Sequence, residues 1–260
     1  MFFLPYAITA EEARAERAYQ QRRTDALRKD PVPWDPNMKF EASLHIKAST
    51  YKMPSLFDVE PTPACQSNPN RSTNPKQHAI SPCGNWLYRE RIIEAGQSLQ
   101  TKSGRRNGVV MWDGPVKIPI IHKTWPGSSS FDTDPWMSFT PMEFFTLRPG
   151  TRLARGHTIV AGLGLGHQLV EVCKKRSVKK VTLIEIDQGI VDWILPRLDL
   201  NGKEVEVVIG DADKLIYDME ADVALMDIYP SYGGNGHRIR ADHSRGKMPG
   251  IGKLWVWGAA

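Results

Sequence analysis

Five short apolar runs recur in the C-terminal part of the chain: HTIVAGLG, KKVTLIEID, EVEVVIGD, ADVALMDIY and GKLWVWG. Each has the length of a buried strand and carries β-branched or aromatic residues. Helix-length segments, QLVEVCKKRS and QGIVDWILPRL, separate the first three, and a shorter one, ADKLIYDM, precedes the fourth. Alternating strands and helices predict parallel βαβ units with helices on both faces of one sheet. The expected class is α/β, with five core strands over 151–260 and a sheet truncated after the fifth, LWVWG.

Upstream the pattern changes twice. Residues 108–150 read as a β-rich segment, in which GVVMWDGPVKIPIIHKTW holds two β-branched runs around Asp113-Gly114 and predicts a hairpin; Pro149-Gly150 closes it. Residues 1–107 begin with a helix over 9–29, with Thr9 as N-cap and Glu11 and Glu12 in its first turn, where the helix dipole favours acids. Its apolar positions are sparse, so it reads as a surface or partner-facing helix, not a core one. Prolines from Pro31 to Pro82 then forbid long helices and predict an irregular region.

Composition narrows the setting more than the chemistry. The 260 residues are 41% hydrophobic and 24% charged, ordinary for a globular protein. No apolar run is long enough to span a membrane, and the first residues make a poor secretory signal. Three cysteines, Cys65, Cys83 and Cys173, have no metal-like spacing and an odd count. A reduced, cytoplasmic setting is the expectation, with no metal. The net charge of +5 permits an anionic partner without requiring one.

Chemistry enters at the first apolar run. The strand Ile159-Val160-Ala161 leads into Gly162-Leu163-Gly164-Leu165-Gly166 and then into an amphipathic helix. Glycines at alternate positions allow a tight turn and a close approach to the main chain, and the helix start offers unpaired N–H groups to polar ligand atoms. The spacing is G-x-G-x-G. The dinucleotide pattern would need glycine where His167 stands, and no Lys-Ser/Thr pair follows as in a nucleoside triphosphate loop. The bland alternative is a turn that packs a strand against a helix.

The next strands end in acids. Glu185, followed by Ile186 and Asp187, closes the second strand about 20 residues past the loop, where a carboxylate can accept from both hydroxyls of a ribose. Asp187 suits the N-cap of the following helix. The third strand ends in Gly210-Asp211-Ala212-Asp213, with Asp211 placed either for an adenine amino group or as a helix cap. The fourth ends in Asp227-Ile228-Tyr229. The series carries the reading, because ligands of open α/β sheets bind at the carboxyl ends of strands.

These motifs, IVAGLGLGHQLV, VTLIEIDQGIV, VEVVIGDADKLI and ADVALMDIYP, resemble the Rossmann-like class I S-adenosylmethionine-dependent methyltransferase superfamily, and within it the spermidine synthase-like branch. The resemblance covers about 108–230, with GVVMWDG similar to the small β-domain that precedes the core in spermidine synthases. It implies a cofactor, S-adenosylmethionine, held by Gly162, Leu163, Gly164 and Gly166 at its methionine and ribose part, by Glu185 and Ile186 at the ribose, by Asp211 and Ala212 at the adenine, and by Asp227 near the reacting centre. Asp227 stands where the family's acid deprotonates the attacking amine, and Tyr229 is the expected orienter. Two departures matter. Leu165 replaces the family's glycine-loop aspartate, and the run DIYPSY lacks a second aspartate after the fourth strand. A polyamine needs carboxylates around it, so the reading turns to methyl transfer from S-adenosylmethionine to an unidentified acceptor, a small molecule or a nucleic acid, with room for a homo-oligomer.

Other residues have two readings. Trp136, Phe139 and Tyr232 are wall candidates or core packing. Thr140 and Glu143 are further candidates to reach the cofactor. The basic run 236–247 is a lid, a phosphate contact or a solvated flexible loop, and His167 caps or packs. The competing functions are aminopropyl transfer or another cleavage of the cofactor, a non-catalytic Rossmann scaffold, and a nicotinamide oxidoreductase, which His167 disfavours.

Overall fold

A computed structural model describes residues 9–63, 74–124, 130–132, 135–229 and 235–259. The chain forms two compact units, Met1–Lys52 with Ile93–Val116, and Met53–Ile92 with Lys117–Ala260.

The first unit is built on a three-stranded sheet in which Arg106–Trp112 lies between Ser43–Ile46, to which it is parallel, and Leu99–Ser103, to which it is antiparallel. Val109, Val110, Met111 and Trp112 are fully buried. Tyr51 meets the rings of Trp34 and Trp112 edge-on, with centroids 5.0 and 5.1 Å away. The N-terminal helix, Ala10–Leu27, opens with the expected Thr9 cap, closed into a box in which Thr9 Oγ accepts the Glu12 N–H and Glu12 accepts the Thr9 N–H. Ala26 is its one fully buried residue, so the expectation of a surface helix is met.

Two expectations for this part of the chain are corrected. Arg106–Trp112 and Val116–Lys123 are strands, but they join different sheets instead of pairing as a hairpin. The turn signal at Asp113-Gly114 is used otherwise, with Asp113 Oδ1 accepting the Ala48 N–H at 2.7 Å. The Pro-rich region is also less irregular than its composition suggests. It contains the eight-residue strand Trp86–Ile93, whose prolines lie outside it.

In the second unit, Thr62–Pro63, Trp86–Ile93, Val116–Lys123 and Met137–Ser138 lie side by side in a small sheet, and Ala79–Ile80 pairs with the second of them. Helix α1 (Pro141–Leu153) follows, within a stretch read from sequence as β-rich and closed at Pro149-Gly150. Pro141 at the first helical turn needs no N–H partner, and Phe144, Phe145 and Leu147 supply a buried face. Pro149 and Gly150 are absorbed inside the helix, and Gly150 is required because a Cβ there would stand 2.5 Å from the Trp255 ring.

The core is the predicted Rossmann-like sheet: β1 (Gly156–Ala161), β2 (Val178–Glu185), β3 (Val205–Ile209), β4 (Ala221–Met226) and β5 (Ile251–Val256), all parallel, in the order β3-β2-β1-β4-β5. Val160 lies opposite Leu183 on one side and Leu225 on the other, and all three are fully buried. They pack with Leu169, Val172 and Cys173 of α2 (His167–Cys173) and with Ile190, Val191 and Ile194 of α3 (Gln188–Ile194). Their neighbours along the strands, Ile159, Ile184 and Ala224, face a second core with Ile216, Ile239 and Met248. Period-2 alternation with both faces buried makes the runs continuously apolar. It also puts the carboxyl ends of β1, β2 and β4 side by side. The reversal of strand order between β1 and β4 opens a crevice there. Short α4 (Ala212–Leu215) follows β3, and α5 (Asn235–Ser244) precedes β5. No described helix is long and apolar enough to cross a membrane.

Candidate active site

A cleft of about 810 Å³ opens along the carboxyl ends of the sheet, lined among others by Gly162, Leu163, Gly164, Glu185, Ile186, Asp211, Ala212, Asp227 and Tyr229. Nine residues picked from the sequence thus share one cavity, of a size that suits a nucleoside-bearing ligand. Gly166 is the exception and is not part of the lining.

The glycine loop is shaped by its protein neighbours. Gly162 has a φ of +92°, and a Cβ there would stand 2.3 Å from the carbonyl oxygen of Asp227. The loop and the end of β4 can therefore touch only without a side chain at this position. At Gly164 (φ +51°) the same space is taken by the Met137 sulfur, which also accepts the Leu165 N–H at 3.0 Å. Gly166 faces Leu198, which explains its absence from the cavity. Gly166 thus packs against a neighbour, whereas Gly162 and Gly164 pack against neighbours and also line the cleft.

Glu185, 9% exposed, holds the loop from below. Its Oε2 accepts the Leu163 N–H at 2.8 Å, and its Oε1 accepts the N–H groups of Ile186 and Asp187 at 2.8 and 3.1 Å. Burial pushes its pKa up, against these amides. Asp187 caps α3 as expected, accepting the Gly189 N–H at 2.8 Å, and its other oxygen accepts the Trp86 indole N–H at 2.9 Å. Asp211 is a cap as well, accepting the Asp213 N–H at 3.0 Å. The Tyr229 hydroxyl donates to Asp213.

Two carboxyls dominate the electrostatics. Asp227 continues from the end of β4, its N–H bonded to the Ala161 carbonyl at 3.0 Å. Glu143 comes from the first turn of α1. Both line the cleft. Burial pushes Asp227 up to about 7. Burial and, after it, the charge of Asp227 push Glu143 up to about 8. Two acids that hold protons near neutrality can act as a base and a hydrogen-bond donor toward one reactant.

Aromatics form one wall. The Lys123 ammonium lies 4.9 Å from the Trp86 ring centroid and 5.0 Å from that of Trp136, and all three line the cleft. Phe139, in contrast, is 3% exposed and packs with Phe144 and the His167 ring, which is the core alternative. Burial pushes His167 down to about 4, so it packs as a neutral ring. Thr140 is the N-cap of α1 and is not among the lining residues. Tyr232 lies outside the described residues.

The basic run 236–247, read from sequence as a loop, supplies most of α5 and the turn that follows it, and several of its charges pair within the protein. Arg238 donates to the Tyr217 hydroxyl and faces Asp213 and Asp242, Lys247 pairs with Asp242 at 2.8 Å, and Arg240 donates to the Ala259 carbonyl.

Several lining residues were not singled out from the sequence: Trp86, Lys123, Met137, Gln168, Asp213 and Trp257. Trp86 and Lys123 come from strands of the small sheet, where nothing in the local pattern marks them. Gln168 sits two residues past the glycine loop, the one position here with a signal that could have been followed.

A family comparison agrees with the resemblance carried by the motifs. Residues 153–233 match the model of the spermine/spermidine synthase domain. No curated relative matches the sequence. Among solved structures, Trm5b from Pyrococcus abyssi is 13% identical, covers 64% of this chain and 47% of its own, and superposes with a TM-score of 0.36. TrmK from M. capricolum, solved with S-adenosyl-homocysteine, is 12% identical over 43% of this chain and 50% of its own, with a TM-score of 0.33. Spermidine synthase from Thermotoga maritima is 16% identical over 59% and 56%, with a TM-score of 0.32. The matched part spans about half the length of these proteins.

Proposed function

We propose that the cleft binds S-adenosylmethionine and that the protein transfers its methyl group to a nitrogen nucleophile. The observation that carries this reading is the Asp227–Glu143 pair in the cavity that also holds the glycine loop and Glu185. The family match over 153–233 supports the cofactor class.

The cofactor supplies an electrophilic sulfonium methyl. The chain's part is to align the acceptor, exclude water and manage one proton. Asp227, with a pKa of about 7, is partly ionised at neutral pH and takes the proton that the acceptor nitrogen loses as its lone pair forms the N–C bond. When bound, the cofactor would supply the leaving group, its sulfur keeping the C–S bonding pair. Glu143, with a pKa of about 8, remains largely protonated and donates a hydrogen bond to the acceptor or to Asp227. Asp211 and Ala212 flank the adenine end, Glu185 fixes the loop and the ribose, and the Trp86–Trp136 wall suits a planar acceptor.

The spermine/spermidine synthase match favours a second reading, aminopropyl transfer to an amine at the same base. Calorimetry with S-adenosylmethionine, its decarboxylated form, S-adenosylhomocysteine and NAD separates the two. S-adenosylmethionine binding, with S-adenosylhomocysteine released on incubation with an acceptor, is the expected result. Release of methylthioadenosine from the decarboxylated form would favour the second reading. Binding of none of the four would leave a scaffold without this chemistry.

A further inference from the structure

Lys123 is the unexplained charge of the cleft. It ends the strand Val116–Lys123, lines the cavity and is partly exposed. Its ammonium stands against two indoles, Trp86 and Trp136, whose rings meet edge-to-face with centroids 6.1 Å apart. Both are anchored: the Trp86 indole N–H donates to Asp187, and the Trp136 backbone N–H donates to the Ile121 carbonyl at 2.8 Å. Trp86 is 2% exposed and Trp136 40%, so the accessible ring surface belongs to Trp136. Among the described lining residues Lys123 is the one basic side chain beside six carboxyls, Asp132, Glu143, Glu185, Asp211, Asp213 and Asp227. No carboxylate of the described residues lies within ion-pair distance of its ammonium. Glu185 is instead bonded to three amides, Asp211 caps α4, Asp213 faces Arg238, and Glu143 and Asp227 hold protons near neutrality. The indoles attract the charge of Lys123 but offer no oxygen or nitrogen acceptor to its three N–H donors.

We propose that Lys123 and Trp136 form the acceptor subsite and select a planar nitrogen compound that carries a carboxylate or phosphate, which deepens and rests on the reading that the cleft takes an S-adenosyl ligand. The ring of the acceptor stacks on the accessible indole of Trp136, and its anionic group takes the charge-assisted hydrogen bonds that Lys123 makes to no described residue. The indoles serve the subsite in a second way. They hold the lysine side chain over the cavity wall, so that less of its rotamer freedom is lost when the anion arrives. The same arrangement works against a polyamine. The wall where an aliphatic ammonium would find aromatic faces already holds an ammonium of the protein, and like charges repel across a short distance. Lys123 thus decides the sign of charge that the acceptor carries, and Trp136 decides its shape.

The test uses the full-length protein saturated with S-adenosylhomocysteine, so that the adenosyl site is filled, and titrates it by calorimetry with matched probes. One pair is 4-aminobenzoate and aniline, the other adenosine 5′-monophosphate and adenosine, and putrescine stands for the polyamines. In the wild type at least one anionic probe is expected to bind about tenfold or more tightly than its neutral counterpart, the value of one charge-assisted hydrogen bond. The pair that shows the preference tells a carboxylate from a phosphate. Putrescine is expected to bind no better than aniline. Lys123→Met, which keeps the stem and removes the charge, is expected to abolish the preference, and Lys123→Arg to retain it. Trp136→Ala is expected to weaken the charged and neutral aromatic probes alike, about three- to tenfold. The affinity of each variant for S-adenosylhomocysteine reports a folded cleft, and the wild-type comparison stands without any variant. If neither anionic probe is preferred by the wild type, if the preference survives in Lys123→Met, or if putrescine binds more tightly than both anionic probes, the subsite is refuted while the adenosyl reading stands. If the wild type does not bind S-adenosylhomocysteine, that reading itself fails and the acceptor subsite goes with it.

Discussion

Replacing Glu143 by glutamine is expected to stabilise the protein at neutral and alkaline pH and to leave it unchanged in acid. Burial, with the neighbouring charge of Asp227, raises this carboxyl from an ordinary 4.5 to about 8. The sign follows from proton counting. Between about pH 4.5 and about pH 8 the folded protein keeps a proton that the unfolded chain has released, so unfolding becomes easier as pH rises through this window, and the loss is complete above it. At about pH 7.5 the span is three units, each worth about 1.4 kcal/mol, which gives on the order of 4 kcal/mol of destabilisation from this one group. Glutamine keeps the shape and hydrogen-bonding capacity of the neutral acid without the ionisation. For a chain of this size the gain corresponds to a rise in melting temperature of about 10 °C at about pH 7.5 and almost none at about pH 4. Urea unfolding of wild type and Glu143→Gln at both values is the assay. The wild-type midpoint should fall between them by more than that of the variant. Parallel pH slopes for the two proteins would mean that Glu143 ionises at its ordinary value, and the raised carboxyl in the cleft would be refuted.

Three further outcomes follow from the same geometry. Asp227→Asn is expected to lower turnover about a hundredfold with little change in cofactor affinity, whereas Glu185→Ala, which frees the Leu163, Ile186 and Asp187 amides, should weaken affinity more than turnover; steady-state kinetics beside calorimetry checks the split, and equal losses in both would contradict it. Gly162→Ala places a Cβ 2.3 Å from the Asp227 carbonyl at a φ of +92°, so it should cost about 2 kcal/mol or more in urea unfolding and also shift the pH dependence of activity, because the base is displaced. His167, lowered from 6.5 to about 4 by burial, binds no proton in the folded protein where the unfolded chain binds one; stability should be complete above about pH 6.5 and fall by about 3 kcal/mol toward pH 4, and melting curves of His167→Leu should lack that component.

Much of the fold was legible because its code is local. Apolar runs of strand length, separated by helix-length amphipathic segments, dictate a parallel sheet, and β1 to β5 stand where those runs lie. The acids at strand ends were legible for the same reason: once strands are parallel, residues just past them gather at one edge, so Gly162, Glu185, Asp211 and Asp227 share a cavity although up to 65 positions separate them. Tertiary structure alone decided three things. It sent Arg106–Trp112 and Val116–Lys123 to different sheets, because strand partners are chosen by non-local packing and the turn between them carries no record of it. It made a helix of the 141–153 stretch through Pro149 and Gly150, because Phe145, Leu147 and the Trp255 ring provide burial that outweighs local propensity. And it brought Trp86, Lys123 and Glu143 to the glycine loop. A side chain's partners, its exposure and therefore its proton affinity depend on what the rest of the chain packs around it, and no stretch of sequence holds that information by itself.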